Sequence, residues 1–532
     1  MPAVTRRPGV LTAALVAAAL VAGCSAGPST RPPLAMVDEG LARGAPAPTT
    51  TRATPAPVPA LQAPTTDLGW SECTAPTLTR LGLPGGPPGL VLECATLAVP
   101  LDRALTGSTT LGLLRARLAQ TPTDAAPLVL LSGADAPATS TLAQLAVTSG
   151  AAVLTTRPVV ALDRRGTGSS SPITCLTAAE RAALVDLDAA APDAQTAALA
   201  LGREMSLGCS DVLGPGALAY DGQHAADDVE QLRQALGVDT LAVLGSGGGA
   251  AVALRDAVRH PARVSRLVLD SPVVPTTDQA SAAQAQARGS EAAFDAFAAA
   301  CASAGCPVDD PRATVLALQQ RARAQGGLAA ADGRRASAGA VLVAVRQALT
   351  APGTSTAATL GRALAQARDG DAGALLGLVD AATGRAAQGG DPGRQDGRLV
   401  ASCSDAALRP TAAQVADLVP RWSAESPLFG ADDATRLLVC LSWSTPPAAP
   451  ALAGLDALPP VLVLTAAVDP VTGPDSATTT VQALARAGAA GTVLRWLGGG
   501  HPVLGASACS ATAVVAYASV GTLPESGTVC PP

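Results

Sequence analysis

The sequence predicts an α/β protein whose mostly parallel sheet carries helices on both faces, with a second set of helices inserted late in the chain. Two observations lead to this fold class. Short apolar runs recur along the chain and end in glycine-rich or polar turns, which is typical of buried strands. Amphipathic stretches lie between several of these runs, and this alternation favours parallel pairing with both sheet faces buried.

The predicted core elements follow in a regular order. Strands lie within residues 89–102, 109–120, 126–136 and 157–172, followed by a helix at 225–237, a strand at 239–245, a helix at 248–261 and a strand at 264–272. Gly237 and Pro261 end the two helices, because glycine accepts the left-handed conformation after a helix and proline cannot continue one. Later in the chain, the strand 459–470 resumes the sheet, the segment 491–501 follows, and a closing helix covers 506–519.

Residues 275–455 change to alanine-rich helical stretches broken by Gly and Pro. An insertion of this size between two core strands is the position of a cap or lid. The folded chain is therefore divided into core residues 67–274, a helical cap at 275–455 and closing core residues 456–532. Four aromatic side chains are expected in the core of the cap rather than in a cleft: Phe294, Phe297, Trp422 and Phe429.

The N-terminus is typical of an exported protein. Arg6 and Arg7 precede an apolar run of signal-peptide length, and Cys24 follows small residues in "VAGC". This tetrapeptide resembles the bacterial lipobox, whose Cys is lipidated; the alternative is a cleaved secretory signal with an incidental Cys. We predict a signal peptide at 1–23, a lipid on Cys24 that holds the protein at the outer face of the cell membrane, and a disordered Pro/Thr/Ala-rich tether at 24–66.

Composition and cysteine spacing exclude several partner classes. The net charge of −6 and the pI of about 5.2 argue against a nucleic-acid partner, which requires a basic face. Besides Cys24 there are ten cysteines, and in an oxidising compartment disulfides are the default. The connectivity stays open, and consecutive pairing is the simplest arrangement. No Cys or His spacing fits a metal site, so neither a metal nor a cofactor is predicted.

The segment "DRRGTGSSSP" has some likeness to a phosphate-binding loop. It lacks the Gly-x-x-x-x-Gly-Lys-Ser/Thr spacing, and the chain contains no lysine. Asp163, which opens the segment, is therefore expected to be structural.

Six stretches together resemble the secreted actinobacterial tripeptidyl-aminopeptidase-like α/β-hydrolases, over roughly residues 70–532. They are "ECATLAVPLD", "ALDRRGTGSSSP", the strand–turn–helix at 239–261, "VLTAAVDPVTGP", "GGGHPV" and "GTLPESGTVC". The resemblance implies an α/β-hydrolase fold with a triad in the chain order Ser, Asp, His, the Ser lying in a G-x-S-x-G elbow. It also implies a cleft for a small peptide or an ester.

Two triad positions have clear matches. Asp469 ends a buried strand in "AAVDP", and His501 lies in "GGGHP". The Asp-x-x-Thr-Pro run of the family is interrupted by Gly473, which puts the position of the carboxylate in question. The other two histidines, His224 and His260, lie near helix ends and are interpreted as solvated or capping side chains.

The elbow differs from the family pattern. When G-x-S-x-G is aligned with "GSGGG", Gly247 occupies the nucleophile position, and Gly245 and Gly249 are the flanking glycines. Glycine adopts the strained backbone of an elbow without penalty, so the turn survives while the hydroxyl is lost. Ser246 is the alternative nucleophile. That register puts Leu244 where a glycine is needed, and adjacent strand residues point to opposite faces.

The expected oxyanion donors are the backbone N–H groups of Gly248 and Ala134. The family's glycine-rich oxyanion loop is "GADA" here, so Asp135 brings a carboxylate near. A like charge about 4 Å from an oxyanion costs about 4 kcal/mol at an effective dielectric of 20. We therefore predict a catalytically impaired relative that keeps a peptide- or ester-binding cleft. The alternative is an active serine hydrolase that uses Ser246 with Asp469 and His501; ligand identity and oligomeric state stay open.

Overall fold

A computed structural model describes residues 58–134, 136–275, 278–351, 355–385, 391, 393–444 and 451–532. The predictions for the signal peptide, for Cys24 and for residues 24–57 of the tether lie outside these ranges. Asp135 of the predicted oxyanion loop also lies outside them.

One sheet of ten strands organises the described residues, in the order β1-β2-β3-β5-β4-β6-β7-β10-β11-β12. The strands from β5 to β12 pair in parallel, and β1, β2 and β3 add an antiparallel edge. The strands are β1 Ser71–Glu72, β2 Leu90–Pro100, β3 Ser108–Leu118, β4 Leu128–Leu131, β5 Val159–Leu162, β6 Leu241–Ser246, β7 Val264–Asp270, β10 Val461–Val468, β11 Gly491–Gly499 and β12 Val529–Cys530. The predicted fold class is confirmed.

Helices cover both faces of the sheet. The core helices are α1 Thr74–Leu81, α2 Ala138–Ala146, α5 Gly222–Ala235, α6 Gly248–Arg259, α15 Ser476–Arg486 and α16 Ala508–Val520. Val243 of β6 packs in one apolar cluster with α5, α6 and α15, and the next residue, Leu244, packs in another with α2 and α16. Successive side chains of the strand thus point to opposite buried faces.

The cap is built from two insertions. Its helices are α3 Ala178–Asp186 and α4 Ala194–Leu213 between β5 and β6, then α7 Gln279–Ala304, α8 Pro311–Gln325, α9 Ala338–Thr350, α10 Ser355–Arg368, α11 Gly373–Thr383, α12 Gly393–Asp405, α13 Ala412–Glu425 and α14 Gly430–Arg436 between β7 and β10. A short antiparallel hairpin joins β8 Leu328–Ala329 to β9 Arg335–Ala336. Only the second insertion was predicted; α4 belongs to the cap because Leu201 and Met205 pack beside Trp422. Short 3-10 helices lie at Ser149–Thr155, Gly214–Tyr220, Pro261–Arg263 and Leu437–Cys440.

The aromatic side chains of the cap lie where they were predicted. Phe294, Phe297 and Phe429 form edge-to-face contacts in one buried cluster, and Trp422 packs in another. They fix the helices of the cap to one another. Among the described helices, none has both the length and the apolar character needed to cross a bilayer.

Residues 58–66, placed in the tether by their composition, lie against the core. Gln62 Nε2 donates to Asp239 Oδ2 at 3.1 Å, and the Thr65 N–H donates to the Leu236 carbonyl at 2.9 Å. Leu61 packs against the apolar cluster of α2 and α16. Local composition indicates that a segment cannot order itself, but it does not report contacts with a core elsewhere in the chain.

Five disulfides join consecutive cysteines, which confirms the simplest of the pairings considered above. They are Cys73–Cys94, Cys175–Cys209, Cys301–Cys306, Cys403–Cys440 and Cys509–Cys530. Each bridge closes a loop within one part of the fold. Cys175–Cys209 holds α4 to the loop before α3, and Cys509–Cys530 holds β12 to α16.

His224 joins a loop of the sheet to the start of α5. Its Nδ1 lies 2.7 Å from Asp221 Oδ1 and its Nε2 lies 2.9 Å from Asp102 Oδ2. The hydrogen bond with Asp221, together with that of Asp102, raises the pKa of His224 above its ordinary value although burial opposes this. The protonated imidazole donates to both carboxylates, so the bridge is strongest when His224 is charged.

We predict that His224→Gln lowers the melting temperature most in mild acid. The folded-state pKa of His224 is raised, so its contribution is full below the unfolded value of about 6.5 and is lost as pH rises through the folded value. Thermal unfolding at about pH 5.5 and about pH 9 should show a loss of a few degrees that shrinks at the higher pH. Burial lowers the pKa of His260, so His260→Gln should show the opposite trend. An equal loss at both pH values for His224→Gln would contradict the assignment.

Candidate active site

The turn from β6 into α6 is a sharp elbow centred on Gly247. Gly247 has φ 54° and ψ −120°, a conformation that glycine adopts easily and that strains other residues. Its N–H donates to the Asp270 carbonyl at 2.9 Å, and its carbonyl accepts from the N–H groups of Ala250 at 3.1 Å and Val273 at 3.2 Å. The elbow therefore lies at the carboxyl end of the parallel strands and is fixed from three sides.

The glycines on either side of the elbow allow α6 to pack closely on the sheet. A Cβ at Gly245 would lie 2.7 Å from the Cα of Ala250, and a Cβ at Gly249 would collide with the Leu131 carbonyl. In both cases the added Cβ would be closer to its neighbour than van der Waals contact allows. The glycines thus have the packing role that the predicted register assigned to them.

Asp469 and His501 lie together at the same edge of the sheet. His501 Nδ1 is 3.1 Å from Asp469 Oδ2. Asp469 Oδ1 accepts from the N–H groups of Val471 at 2.8 Å and Thr472 at 3.0 Å, and Oδ2 accepts from the Thr472 hydroxyl at 2.9 Å. Burial raises the pKa of Asp469, but His501 and these donors outweigh burial and hold the pKa at about 2.

The inserted Gly473 does not separate this pair. It has φ 81°, and a Cβ there would collide with the Ala285 carbonyl of α7. The loop therefore accommodates its extra residue by packing Gly473 closely against α7 of the cap. The cap also holds the histidine loop, because the His501 N–H donates to the Thr350 carbonyl at the end of α9 at 3.0 Å.

Position 247 faces His501. A Cβ built on Gly247 would lie 3.0 Å from Nε2 and 3.2 Å from Cε1 of His501. In the structure, position 247 therefore faces Nε2 of His501, and Nδ1 of the same imidazole faces Asp469. Ser246 is the last residue of β6, is 5% exposed and pairs with Asp270 of β7.

Asp270 was not singled out from the sequence. Its carboxylate accepts from the N–H groups of Val503 at 3.0 Å and Leu504 at 2.8 Å, which lie two and three residues after the histidine. Burial raises its pKa to about 6, and these N–H groups and His501 oppose the rise. The sequence feature that could have indicated this role is "VLDSP", in which an Asp ends the strand beside the elbow strand.

The loop that carries Ala134 contacts the first turn of α6, which begins at Gly248. A Cβ on Gly248 would lie 3.0 Å from the Cα of Gly133, so the loop that carries Ala134 touches the first turn of α6. The first N–H groups of a helix have no partner within it and attract negative charge. The Ser132 hydroxyl donates to the Ala136 carbonyl at 2.5 Å and closes the loop.

A cleft of about 980 Å³ lies between this edge of the sheet and the cap. Its floor includes Ala134, Ser246, Gly248 and His501. Its roof is charged: the cap contributes Arg346, Asp432, Asp433 and Arg436. A space of this size and polarity accommodates a ligand of several residues or an acyl ester with a polar tail.

The charged roof is held by ion pairs. Arg346 Nη2 lies 2.9 Å from Asp433 Oδ1, and Arg436 Nε lies 2.9 Å from Asp432 Oδ2. Asp433 Oδ2 is buried without a hydrogen-bond partner, and burial raises the pKa of Asp433 to about 6 although Arg346 opposes it. Ion pairs between arginine and aspartate thus hold the charged groups of the roof together.

Asp163 holds the loops around the cleft. Its buried carboxylate accepts from the N–H groups of Thr139 and Ser169 at 2.8 Å each and from both their hydroxyls. Among the residues that the structure describes, no group of His, Cys, Asp and Glu side chains is arranged to hold a metal ion.

Comparison with family models agrees with this architecture. The model for the alpha/beta hydrolase fold matches residues 144–325, and the model for TAP-like protein matches residues 426–530. The chain has the α/β-hydrolase fold with a TAP-like C-terminal region. The two matches include the elbow in the first case and both Asp469 and His501 in the second.

Two curated proteins similar to this chain come from Mycobacterium tuberculosis. The serine protease Hip1 is 29% identical over 339 residues, which cover 60% of this chain and 64% of that protein. Carboxylesterase B is 29% identical over 472 residues, covering 83% of this chain and 86% of that protein. The chain thus spans somewhat less than two thirds of the length of Hip1.

Solved structures similar to this chain include an esterase and a peptidase. A thermophilic esterase from Thermogutta terrifontis is 14% identical, with 80% of this chain and 99% of that chain covered and a TM-score of 0.36. Proline iminopeptidase from Mycobacterium smegmatis is 15% identical, with 76% and 91% covered and a TM-score of 0.32.

We predict that Gly247→Ala lowers the free energy of unfolding by about 1–3 kcal/mol, because an L residue is strained at this φ and ψ. The new methyl group would also press on His501. Gly85→Ala is the matched control, since a Cβ at Gly85 meets nothing within 4 Å. Denaturant unfolding of both variants measures the difference, and equal midpoints would contradict the strained elbow.

Proposed function

We propose that this chain is an exported, lipid-anchored relative of serine hydrolases that binds peptide or ester ligands and has lost acyl-enzyme chemistry. One observation carries the proposal: the position that faces His501 Nε2 at 3.0 Å is a glycine. A serine nucleophile acts by transferring its hydroxyl proton to such an imidazole. Gly247 has no side-chain oxygen that could attack an acyl carbon.

Apart from the nucleophile, the elements of a serine-hydrolase active site are present. The elbow, the Asp469–His501 pair, the helix N-terminus at Gly248 and the cleft all have the form that acyl transfer requires. The ligand class follows from this form and from the relatives, one a serine protease and the other a carboxylesterase. Small peptides and acyl esters are the ligands that we expect in the cleft.

Export is supported by the five disulfides, since such bonds persist in oxidising compartments. The lipid anchor rests on the "VAGC" sequence at Cys24. Together they support a cleft that lies outside the cell, where peptides and esters are available without a transport step.

The second candidate is an active serine hydrolase with Ser246 as the nucleophile. Ser246 does line the cleft, which favours this candidate. Its oxyanion donor would be the N–H of the following residue. That N–H, on Gly247, already donates to the Asp270 carbonyl, whereas position 247 is followed by Gly248 at the open start of α6. The geometry thus favours loss of the nucleophile over its displacement by one residue.

A fluorophosphonate probe tests the proposal directly. The full chain is treated with the probe, and any adduct is located by intact mass and peptide mapping. We predict no adduct in the native chain and labelling of the introduced serine in Gly247→Ser, because the new hydroxyl faces His501.

Two controls make the result unambiguous. Gly247→Ser combined with His501→Gln should lose the labelling, which shows that the dyad activates the hydroxyl. Ser246→Ala should not change the native result. An adduct on Ser246 in the native chain would overturn the proposal and favour the active hydrolase.

A further inference from the structure

We propose that Arg157, Thr240 and Arg266 form a binding site for a phosphate group, at the end of the sheet opposite to the candidate active site. The three residues lie at or just before the starts of strands β5, β6 and β7, whereas the elbow and His501 lie at the carboxyl ends of the parallel strands. The site is separate from the cleft, so the inference is independent of the proposed loss of the nucleophile.

The strand registers place these residues on one face of the sheet. One row across four neighbouring strands consists of the paired residues Val159, Leu128, Ala242 and Arg266. Arg157 and Thr240 each stand two residues before a member of this row, and since side chains alternate along a strand, both are on the face to which Arg266 points. That face packs against α16, because Arg266 Nε donates to the Tyr517 carbonyl at 3.1 Å.

Arg157 reaches along the sheet toward Arg266. Its Nη1 donates at 3.1 Å to the carbonyl of Ala126, two residues before β4 begins. A hydrogen bond of 3.4 Å from the Ser519 hydroxyl to the Thr156 hydroxyl joins the end of α16 to the residue that precedes Arg157. Burial lowers the pKa of Arg157, and the positive charge of Arg266 lowers it further, so the two cations repel each other across this corner of the sheet.

Both guanidinium groups are buried without an anion. Arg157 is 7% exposed and Arg266 is 4% exposed, and within the described ranges no carboxylate forms an ion pair with either one. Their described acceptors are main-chain carbonyl oxygens, which belong to Ala126, Pro59, Ser265 and Tyr517. Arginine stays charged in proteins, and burying an ion without an opposite charge is costly. The corner therefore carries two positive charges that its own side chains do not neutralise.

Two donors of these residues are unused. Among the described residues, Nε of Arg157 and the Thr240 hydroxyl are buried and have no hydrogen-bond partner. A buried polar atom that finds no partner in the protein calls for a water molecule or a ligand. Because the neighbouring charges are positive, the missing group is an acceptor that carries negative charge.

A phosphate group fits these donors. It carries about −1.5 to −2 charges at neutral pH and offers three acceptor oxygens, which matches two guanidinium charges and a hydroxyl. The planar fork of arginine also binds phosphate oxygens in pairs. The phosphate can be free or part of a lipid headgroup, because Pro59, whose carbonyl accepts from Arg266 at 2.8 Å, lies on the segment that leads back to the predicted lipid anchor at Cys24.

Equilibrium dialysis of the full chain against radiolabelled inorganic phosphate tests the site. We expect saturable binding of a single phosphate per chain. Arg157→Gln and Arg266→Gln should each weaken this binding about 10-fold to 100-fold, as expected for loss of a charge-assisted hydrogen bond. Arg203→Gln is the matched control, since Arg203 is exposed on α4, and it should bind phosphate like the native chain.

A third variant keeps the test decisive if an arginine variant does not fold. Thr240→Val removes the hydroxyl and keeps the shape of the side chain, so it should weaken phosphate binding about 2-fold to 10-fold. Phosphate should also raise the melting temperature of the native chain and of Arg203→Gln more than that of Thr240→Val, because a ligand stabilises the state that binds it.

Vesicles distinguish the two sources of phosphate. The native chain and Arg157→Gln are sedimented with phosphatidylcholine vesicles, with and without phosphatidic acid. If a headgroup is the ligand, phosphatidic acid should increase the binding of the native chain only, and inorganic phosphate should compete with it. If the phosphate is free, both proteins should bind vesicles equally while dialysis shows the site.

Two results would overturn the proposal. One is the absence of saturable phosphate binding in dialysis together with equal binding of both proteins to phosphatidic acid vesicles. The other is phosphate binding that Arg157→Gln, Arg266→Gln and Thr240→Val all leave unchanged.

Discussion

The site depends on Asp270, which fixes both halves of it at once. Its backbone carbonyl accepts the N–H of Gly247 at 2.9 Å and so holds the elbow. Its carboxylate accepts the N–H groups of Val503 and Leu504 and so holds the histidine loop. One buried residue at the end of β7 thereby sets the distance between position 247 and His501, whatever side chain stands at 247.

This arrangement shows that the shape of the site does not depend on a hydroxyl at position 247, which is consistent with the proposed loss of the nucleophile. The elbow is stabilised by backbone hydrogen bonds and by the close packing of Gly245 and Gly249 against the sheet, none of which involves a hydroxyl. Asp469 is likewise held by the loop that follows it as well as by His501. Replacing serine by glycine removes a reacting atom and relieves backbone strain, so folding does not oppose the change.

The sequence predicted those features that local patterns determine. Apolar runs and glycine-rich turns located the strands, the motif spacing located Asp469 and His501, and consecutive pairing of the cysteines was confirmed. Asp270 escaped prediction because its partners are 233 and 234 residues away. The first insertion of the cap escaped because the apolar residues of α4 pack on other cap helices rather than on the sheet. Only the folded chain shows such contacts.

A crystal structure of the Gly247→Ser variant tests the central claim most directly, because the claim concerns where the side chain of residue 247 points. We predict an introduced hydroxyl within about 2.6–3.2 Å of His501 Nε2, the reach of a nucleophile and its base. The bond between His501 and Asp469 should be unchanged. A hydroxyl that points away from His501, or a Ser246 hydroxyl at that distance from Nε2 instead, would contradict the account.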